Sequence, residues 1–454
     1  MAPELIFYSG VGSVTGANFL LETKGGESKR ILVDCGLIQG ERTAAAENRK
    51  PFEYKPESID YLFITHAHLD HVGRIPKLVK EGFKGEIYST PQTKALARLI
   101  LEDATGLLAK EAQRDGVLPM YEKDDMEKAF TLWKEIPYHE KRQFLGFEVY
   151  LQDAGHILGS SMINFFVNGK KIVFTGDLGN TPTPLLRDTE PVTDADYLIM
   201  ESVYGDRNHE PREERLEKLK HIVADAISRE GTVVIPAFSL ERTQVLLYEL
   251  NTLIENNEIK TIPVYVDSPL AIKVTDVYKN SQHLFNENTQ AQIAAGDDIF
   301  KFPRLRFTIS RDDSRTIERM PGPKIILAGS GMSAGGRVIQ HEEHYLPDSK
   351  NTILLVGYQT MGTLGRRLMD GAKKVTIYDR EVQVKAHIET IFGYSSHKDS
   401  DNLVEFVDKT RGKVKKVFVA MGEPKASLFL AQKLRDYLDV DAMYPERLKK
   451  YRLD

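Results

Sequence analysis

An α/β architecture of more than one domain is what this sequence predicts, on three observations. The chain runs to 454 residues, whereas a single core stops growing at about 250–300. Up to residue 207, short apolar runs alternate with Gly, Asp and Asn punctuation. From 208 the texture changes to a strand, helix, strand rhythm, as in parallel α/β units, and a second domain begins there.

In the first part LIFYSG, NFLLET, RILVDCG, IDYLFIT, FEVYLQ, MINFFV, KIVFTGD and YLIMES are rich in β-branched and aromatic residues and read as strands. Residues 92–135, rich in Ala, Leu, Lys and Glu, read as a helical layer. After 208, PREERLEKLKHIVADAISREG has helical period and an alternating-sign charged face. TVVIPAFS then reads as a strand, RTQVLLYELNTLI as a helix and IPVYVDSP as the next strand. The rhythm continues through KIILAGSG and TILLVGYQT, and strand-like runs resume at KVTIY and KKVFVAMG. With no repeat, low-complexity tract or long linker between them, the domains are expected to be tightly joined.

Composition excludes several classes. With 41% hydrophobic and 28% charged residues the chain is globular rather than disordered. No apolar run nears the roughly 20 residues of a membrane span, and MAPELIFYSGVG is no export signal, so a cytoplasmic protein without a membrane partner is expected. The one cysteine, Cys35, rules out an internal disulfide and a thiolate metal cluster, leaving His, Asp and Glu as metal ligands. A net charge of −5 argues against general coating of nucleic acid while leaving a strand bound in a local cleft open.

The decisive segment is His66-Ala67-His68-Leu69-Asp70-His71, which follows the strand-like IDYLFIT and holds four potential ligands in six residues. In an extended turn, side chains two apart point the same way, so His66 and His68 can grip one ion. If a helix begins near Asp70, then Asp70 and His71 face a neighbouring spot and can grip a second. Imidazole and carboxylate suit zinc without any thiolate. His156 in DAGHILGS and Asp177 in KIVFTGDLG sit where strands end, and a carboxylate at 177 could bridge two cations. Asp34, closing RILVDCG, could orient a ligating imidazole from behind.

Taken in this order, Asp34, HAHLDH, His156 and Asp177 resemble the metallo-β-lactamase superfamily. Glu201 in MESVYG, IPAFSLERTQ, DSPLA, GSGMSAGGR, GYQTMGTLGRR and His397 in GYSSHKD make nearly the whole chain similar to the β-CASP nucleases. That family includes the endonuclease of messenger-RNA cleavage and polyadenylation and its bacterial and archaeal relatives. The resemblance implies an αββα metallo-β-lactamase sandwich interrupted by an inserted α/β β-CASP domain that closes over the cleft. The expected parts are 1–207, the insertion 208–375 and the return 376–454. It further implies two zinc ions, one held by His66, His68 and His156, the other by Asp70 and His71, with Asp177 bridging. A metal-activated water would cleave a phosphodiester of single-stranded RNA. Asp70, Asp177, Glu201 and His397 would carry the chemistry, Glu201 pairing with His397 beside the scissile phosphate or the leaving oxygen.

One position departs from the pattern. Many RNA-acting relatives carry a histidine before Gly-Glu near the chain end, whereas KKVFVAMGEP places Met421 there. A thioether is a poor zinc ligand, so the second ion is expected to bind more weakly, unless His387 or Asp399 replaces the missing imidazole. DNA-acting relatives carry an apolar residue at this place, so DNA stays open as a substrate. An ester or thioester hydrolase of the same fold and a catalytically silent scaffold are the other competing readings.

The loop Gly329–Arg337 follows KIILA and precedes a helix. Its Ser330, Ser333, Gly335, Gly336 and Arg337 are candidates to meet a strand phosphate, and it lacks the lysine of a nucleotide-binding P-loop. Arg366, Arg367, Lys373 and Lys374 are the best nearby basic group. HEEH at 341–344 is one residue short of HExxH and is not expected to bind metal. The basic end ERLKKYRLD reads first as a solvated tail, with contact to a nucleic acid or to a second copy of the chain in a homodimer as the alternative.

Overall fold

The computed structural model describes residues 2–25, 28–40, 43–357 and 359–454, with the backbone alone at 212 and 213. Tyr358 of the GYQTMGTLGRR motif lies outside the described residues. The chain divides into two compact units, Met1–Asn208 with Ser396–Asp454, and His209–Ser395.

Two seven-stranded sheets form the first unit. One runs in the order Lys450–Arg452, Glu4–Ser9, Asn18–Glu22, Arg30–Val33, Tyr61–Phe63, Glu86–Ser89, Trp133–Glu135. The other runs Ala442–Met443, Lys416–Val419, Tyr197–Met200, Lys170–Phe174, Ser161–Val167, Phe147–Asp153, Lys141–Phe144. Strand periodicity assigns each side chain to a layer. Ile172, Phe174 and Ile199 point inward with Phe7, Phe19, Phe63 and Phe165 to the core between the sheets. Their neighbours Val173, Leu198 and Met200 point outward and pack under Leu403, Phe406, Leu430 and Leu434. Those last residues come from the helices Ser400–Asp408 and Pro424–Leu438. This sheet is thus apolar on both faces where helices cover it, which is why its central strands read as unbroken apolar runs.

All eight strands expected before 207 form, and residues 91–132 carry the helices Pro91–Asp115 and Lys123–Leu132. Glu86–Ser89, Trp133–Glu135 and Lys141–Phe144 are strands that the apolar pattern did not mark. The last alternates no apolar side chain inward, having burial only at Phe144.

The second unit is a six-stranded parallel sheet in the order Leu305–Phe307, Val264–Asp267, Lys324–Ala328, Thr232–Pro236, Thr352–Val356, His387–Ile391. A hairpin of Lys374–Ile377 and Arg380–Gln383 accompanies it. The strand His387–Ile391 pairs with Thr352–Val356, so the chain leaves this unit after Ser395, later than the 375 expected from the resemblance. Among the described residues, no helix is long and apolar enough to cross a membrane.

Candidate metal centre

Most of the expected cluster stands just after the ends of strands of the first unit. His66 follows Tyr61–Phe63 after a bend at Thr65, and His68, with φ of −66° and ψ of 149°, is extended just before the helical turn Leu69–Val72. The extended segment points His66 and His68 to one side, and the turn carries Asp70 and His71 beside them. Asp177 follows Lys170–Phe174 across Gly176, which has φ +55° and lies so close to Thr65 that a Cβ would sit 2.6 Å from its side chain. His156 follows Phe147–Asp153, Glu201 follows Tyr197–Met200, and His397 bridges to Gly179.

Four ligand atoms converge on one point. His66 Nε2 lies 3.1 Å from His68 Nδ1, and His156 Nε2 lies 3.3 Å from the same atom. Asp177 Oδ2 lies 3.3 Å from His66 Nε2 and 3.5 Å from His156 Nε2. A tetrahedral ion with bonds of about 2.0–2.1 Å has its ligand atoms about 3.3 Å apart, so the residues fit such an ion. Burial pulls His68 and His156 well below the ordinary histidine range, keeping them neutral with lone pairs to offer.

A second set adjoins the first. The other carboxylate oxygen of Asp177, Oδ1, lies 3.4 Å from His71 Nε2, which is 3.7 Å from Asp70 Oδ2. His71 Nε2 and Asp177 Oδ1 are both buried without a hydrogen-bond partner. Two polar atoms left in this way at the same spot are what a cation would satisfy. Burial would lower the His71 pKa, yet Asp177, Asp34 and Asp70 together hold it well above the ordinary range, so this spot demands positive charge.

Behind this set, Asp34 is fully buried with φ +60°. Its Oδ1 accepts from the Thr65 amide at 2.8 Å, and its Oδ2 accepts from the Thr65 hydroxyl and from His71 Nδ1, each at 2.8 Å. A proton on Nδ1 leaves the Nε2 lone pair of His71 facing Asp70 and Asp177. Thr65 was missed in the sequence, although it stands directly before the first histidine. So was the carbonyl of Ser396, 3.1 Å from His156 Nδ1, which orients that ring in the same way.

His397 Nδ1 lies 3.1 Å from both Oε1 and Oε2 of Glu201 and 4.0 Å from Asp177 Oδ2. Burial opposes its charge, but Glu201 outweighs burial and pushes its pKa up to about 9. Glu201, raised by its own burial, also accepts from the Leu178 amide at 2.7 Å. The result is an imidazolium that is partly exposed while its carboxylate partner is wholly buried.

The two candidate replacements for the missing imidazole belong to different units. His387 opens a strand of the second unit's sheet and is exposed. Asp399 caps the helix Ser400–Asp408, accepting from the Asn402 amide at 3.1 Å. Met421 itself has φ +44° and is buried in the core between the sheets. Its sulfur lies 2.7 Å from where a Cβ on Gly10 would start. With Asp34, Thr65, His71 and Glu201 it lines a small cavity.

In the second unit, two polar side chains of the glycine-rich loop are engaged internally. Ser333 is buried and its hydroxyl donates to Glu342. Arg337 donates to Asp267 at 2.6 Å and to the Thr308 carbonyl at 3.1 Å. These partners come from other elements, which is why the loop alone read as a set of phosphate contacts; the half-buried Ser330 hydroxyl accepts from the Ala334 amide at 3.0 Å, Gly335 is half-buried and Gly336 is exposed. HEEH is no metal pair: His341 is buried against Asp267 at 2.7 Å, whereas His344 is exposed.

Two stacked sheets flanked by helices, with imidazoles and carboxylates gathered at the strand ends, define a metal-dependent hydrolase of the αββα kind. Residues 14–231 match the metallo-beta-lactamase superfamily, 243–368 the Beta-Casp domain, and 381–445 the Zn-dependent metallo-hydrolase RNA specificity domain. A ribonuclease of Thermus thermophilus is 35% identical over 89% of this chain and 90% of its own length. The transcription termination factor FttA of Methanosarcina mazei is 31% identical over 96% of this chain and 69% of its own. The cleavage and polyadenylation specificity factor 73 of Drosophila melanogaster is 31% identical, with 88% and 57% covered. A crystal structure of a protein of unknown function from Enterococcus faecalis shares the fold, at a TM-score of 0.60 and 12% identity over the whole of both chains. The chain belongs to the metallo-β-lactamase superfamily and, within it, to the β-CASP family. The family implies a divalent metal, which His66, His68, His156 and Asp177 are arranged to hold.

Proposed function

We propose that the chain is a zinc-dependent ribonuclease that hydrolyses phosphodiester bonds of single-stranded RNA in the cytoplasm. The near-tetrahedral spacing of His66 Nε2, His68 Nδ1, His156 Nε2 and Asp177 Oδ2 carries this reading. Three imidazoles and one carboxylate favour zinc over magnesium or calcium, which take oxygen ligands. The names of the relatives and the RNA specificity domain support RNA as the substrate.

Bound zinc would supply a deprotonated water near neutral pH and offset charge on the phosphate. The chain's own residues do the rest. Asp177 offers one oxygen to each ligand set and keeps them in register. Asp34 and Thr65 fix the ring of His71, and the Ser396 carbonyl fixes that of His156. The His397 imidazolium, held by Glu201, stands 4.0 Å from Asp177 and can pair with a phosphate oxygen or give its proton to the departing ribose oxygen. With Met421 at this place, the described residues that would hold a second ion are Asp70, His71 and Asp177, so an ion there would exchange more readily.

Incubating labelled single-stranded RNA, single-stranded DNA and a thioester with the chain, with and without chelator, decides among the readings. Chelator-sensitive cleavage of RNA in preference to the other two is expected. Preference for DNA or the thioester overturns the substrate, and inertness toward all three would favour the scaffold reading.

A further inference from the structure

We propose that Phe238 is a stacking platform for a nucleobase of single-stranded RNA, forming a binding subsite within the second unit. This rests on the RNA reading above. Phe238 lies just beyond the strand Thr232–Pro236 and is 39% exposed, although its neighbours Ala237 and Leu240 are buried. A large aromatic ring left open at the end of a buried strand forgoes the burial that its surroundings provide.

One face of the ring is already backed. A Cβ placed on Gly331 would lie 2.7 Å from Cδ2 of Phe238 and 2.9 Å from both Cε2 and Cγ. Near-equal distances to three consecutive ring carbons put that point over the face of the ring, since a point beyond the rim would be much nearer Cδ2 than its neighbours. Glycine at 331 therefore lets the backbone lie flat against the ring, and no other residue fits there without moving it. The exposure of Phe238 then belongs to the remaining face and edge.

Both halves of the arrangement are held still. The Phe238 carbonyl accepts from the Thr243 amide at 3.2 Å and its hydroxyl at 2.7 Å, and the Ser239 carbonyl accepts from Gln244 at 3.2 Å. The Gly331 carbonyl accepts from the buried Gln359 side chain at 3.1 Å. A ring fixed in advance loses little entropy when a second flat group settles on it.

The surroundings favour a base over an apolar peptide. The hydroxyls of Ser239 and Ser268 lie 3.1 Å apart, and a Cβ on Gly329 would sit 3.6 and 3.5 Å from them. The loop behind the ring has Gly335 half-buried and Gly336 exposed. A single aromatic face backed by a glycine-rich loop suits one base with its sugar and phosphate, whereas a protein partner would need a wider apolar patch.

The test uses the metal-loaded, full-length chain and a fluorescein-labelled single-stranded RNA with cleavage-resistant phosphorothioate links, read by anisotropy. Phe238→Ala should weaken binding about five- to a hundredfold, the range of one lost base stack. Phe238→Trp should restore it, and an RNA lacking the base at the stacked position should bind wild type and Phe238→Ala alike. Equal binding by wild type and Phe238→Ala overturns the subsite while leaving the RNA reading intact, and so does a loss that Phe238→Trp does not repair. Failure of the wild type to bind RNA at all overturns both.

Discussion

Asp34→Asn perturbs the second ligand set without removing a ligand. The side chain keeps its shape, and asparagine tolerates the φ of +60° that Asp34 adopts. Aspartate accepts three hydrogen bonds, from the Thr65 amide and hydroxyl and from His71 Nδ1. Asparagine retains one acceptor, which the Thr65 amide takes, and turns its NH2 toward Thr65 Oγ1 and His71 Nδ1. A donor facing Nδ1 drives the ring proton to Nε2, which then cannot face a cation. Loss of such an orienting carboxylate lowers metal affinity about ten- to a hundredfold. That corresponds to about 1.4–2.7 kcal/mol, close to the about 1.5–3 kcal/mol of one hydrogen bond to a charged group. Titrating zinc into the stripped protein against a chromophoric chelator should give two binding steps in the wild type. In the variant the weaker step should move by that factor and the tighter step should hold. Two unchanged steps would refute the role of Asp34, and equal weakening of both would show that it supports the whole centre rather than His71.

Other perturbations separate the remaining parts. Asp177→Ala removes an oxygen from each set, so zinc retention and RNA cleavage should both collapse; full activity would end the two-ion reading. Glu201→Ala should retain zinc, counted per chain after dialysis, and cut slowly. Glu201→Gln, which removes the charge that raises His397, should move the alkaline limb of the rate profile to lower pH; an unmoved limb would mean that His397 does not set it. Met421→His should strengthen the second site, visible as higher zinc content after dialysis and more activity at low metal, and no gain in either would make position 421 irrelevant. Burial pushes Glu342 up to about 8, above its unfolded value of 4.5, so the stability of the neutral acid is complete below 4.5 and is lost as pH rises through 8. Glu342→Gln, always neutral, should therefore gain melting temperature relative to wild type between pH 5 and pH 9, and a difference flat in pH would contradict that.

The cluster around the metal centre was legible because its spacing is local: two histidines two apart on extended chain, then an acid and a histidine on the next turn. His156 and Asp177 were legible as strand ends beside that cluster, whereas the pairing of Glu201 with His397 came from resemblance alone. What stayed hidden depends on partners distant in the chain. Arg337 read as a phosphate contact because Asp267 lies on another strand, and Ser333 because Glu342 lies on the following helix. The late return of the chain was hidden because HIETI buries only Ile391 fully, and so lacks the apolar signature of a sheet strand. Met421 was flagged as a departure, but that its sulfur turns to Gly10 could be learned only from the packing.

The most direct measurement is anomalous diffraction at the zinc edge from crystals of the metal-loaded protein. A strong peak enclosed by His66, His68, His156 and Asp177, with a weaker one between Asp70, His71 and the other oxygen of Asp177, is the expected result. Density with no peak among the three histidines would contradict it.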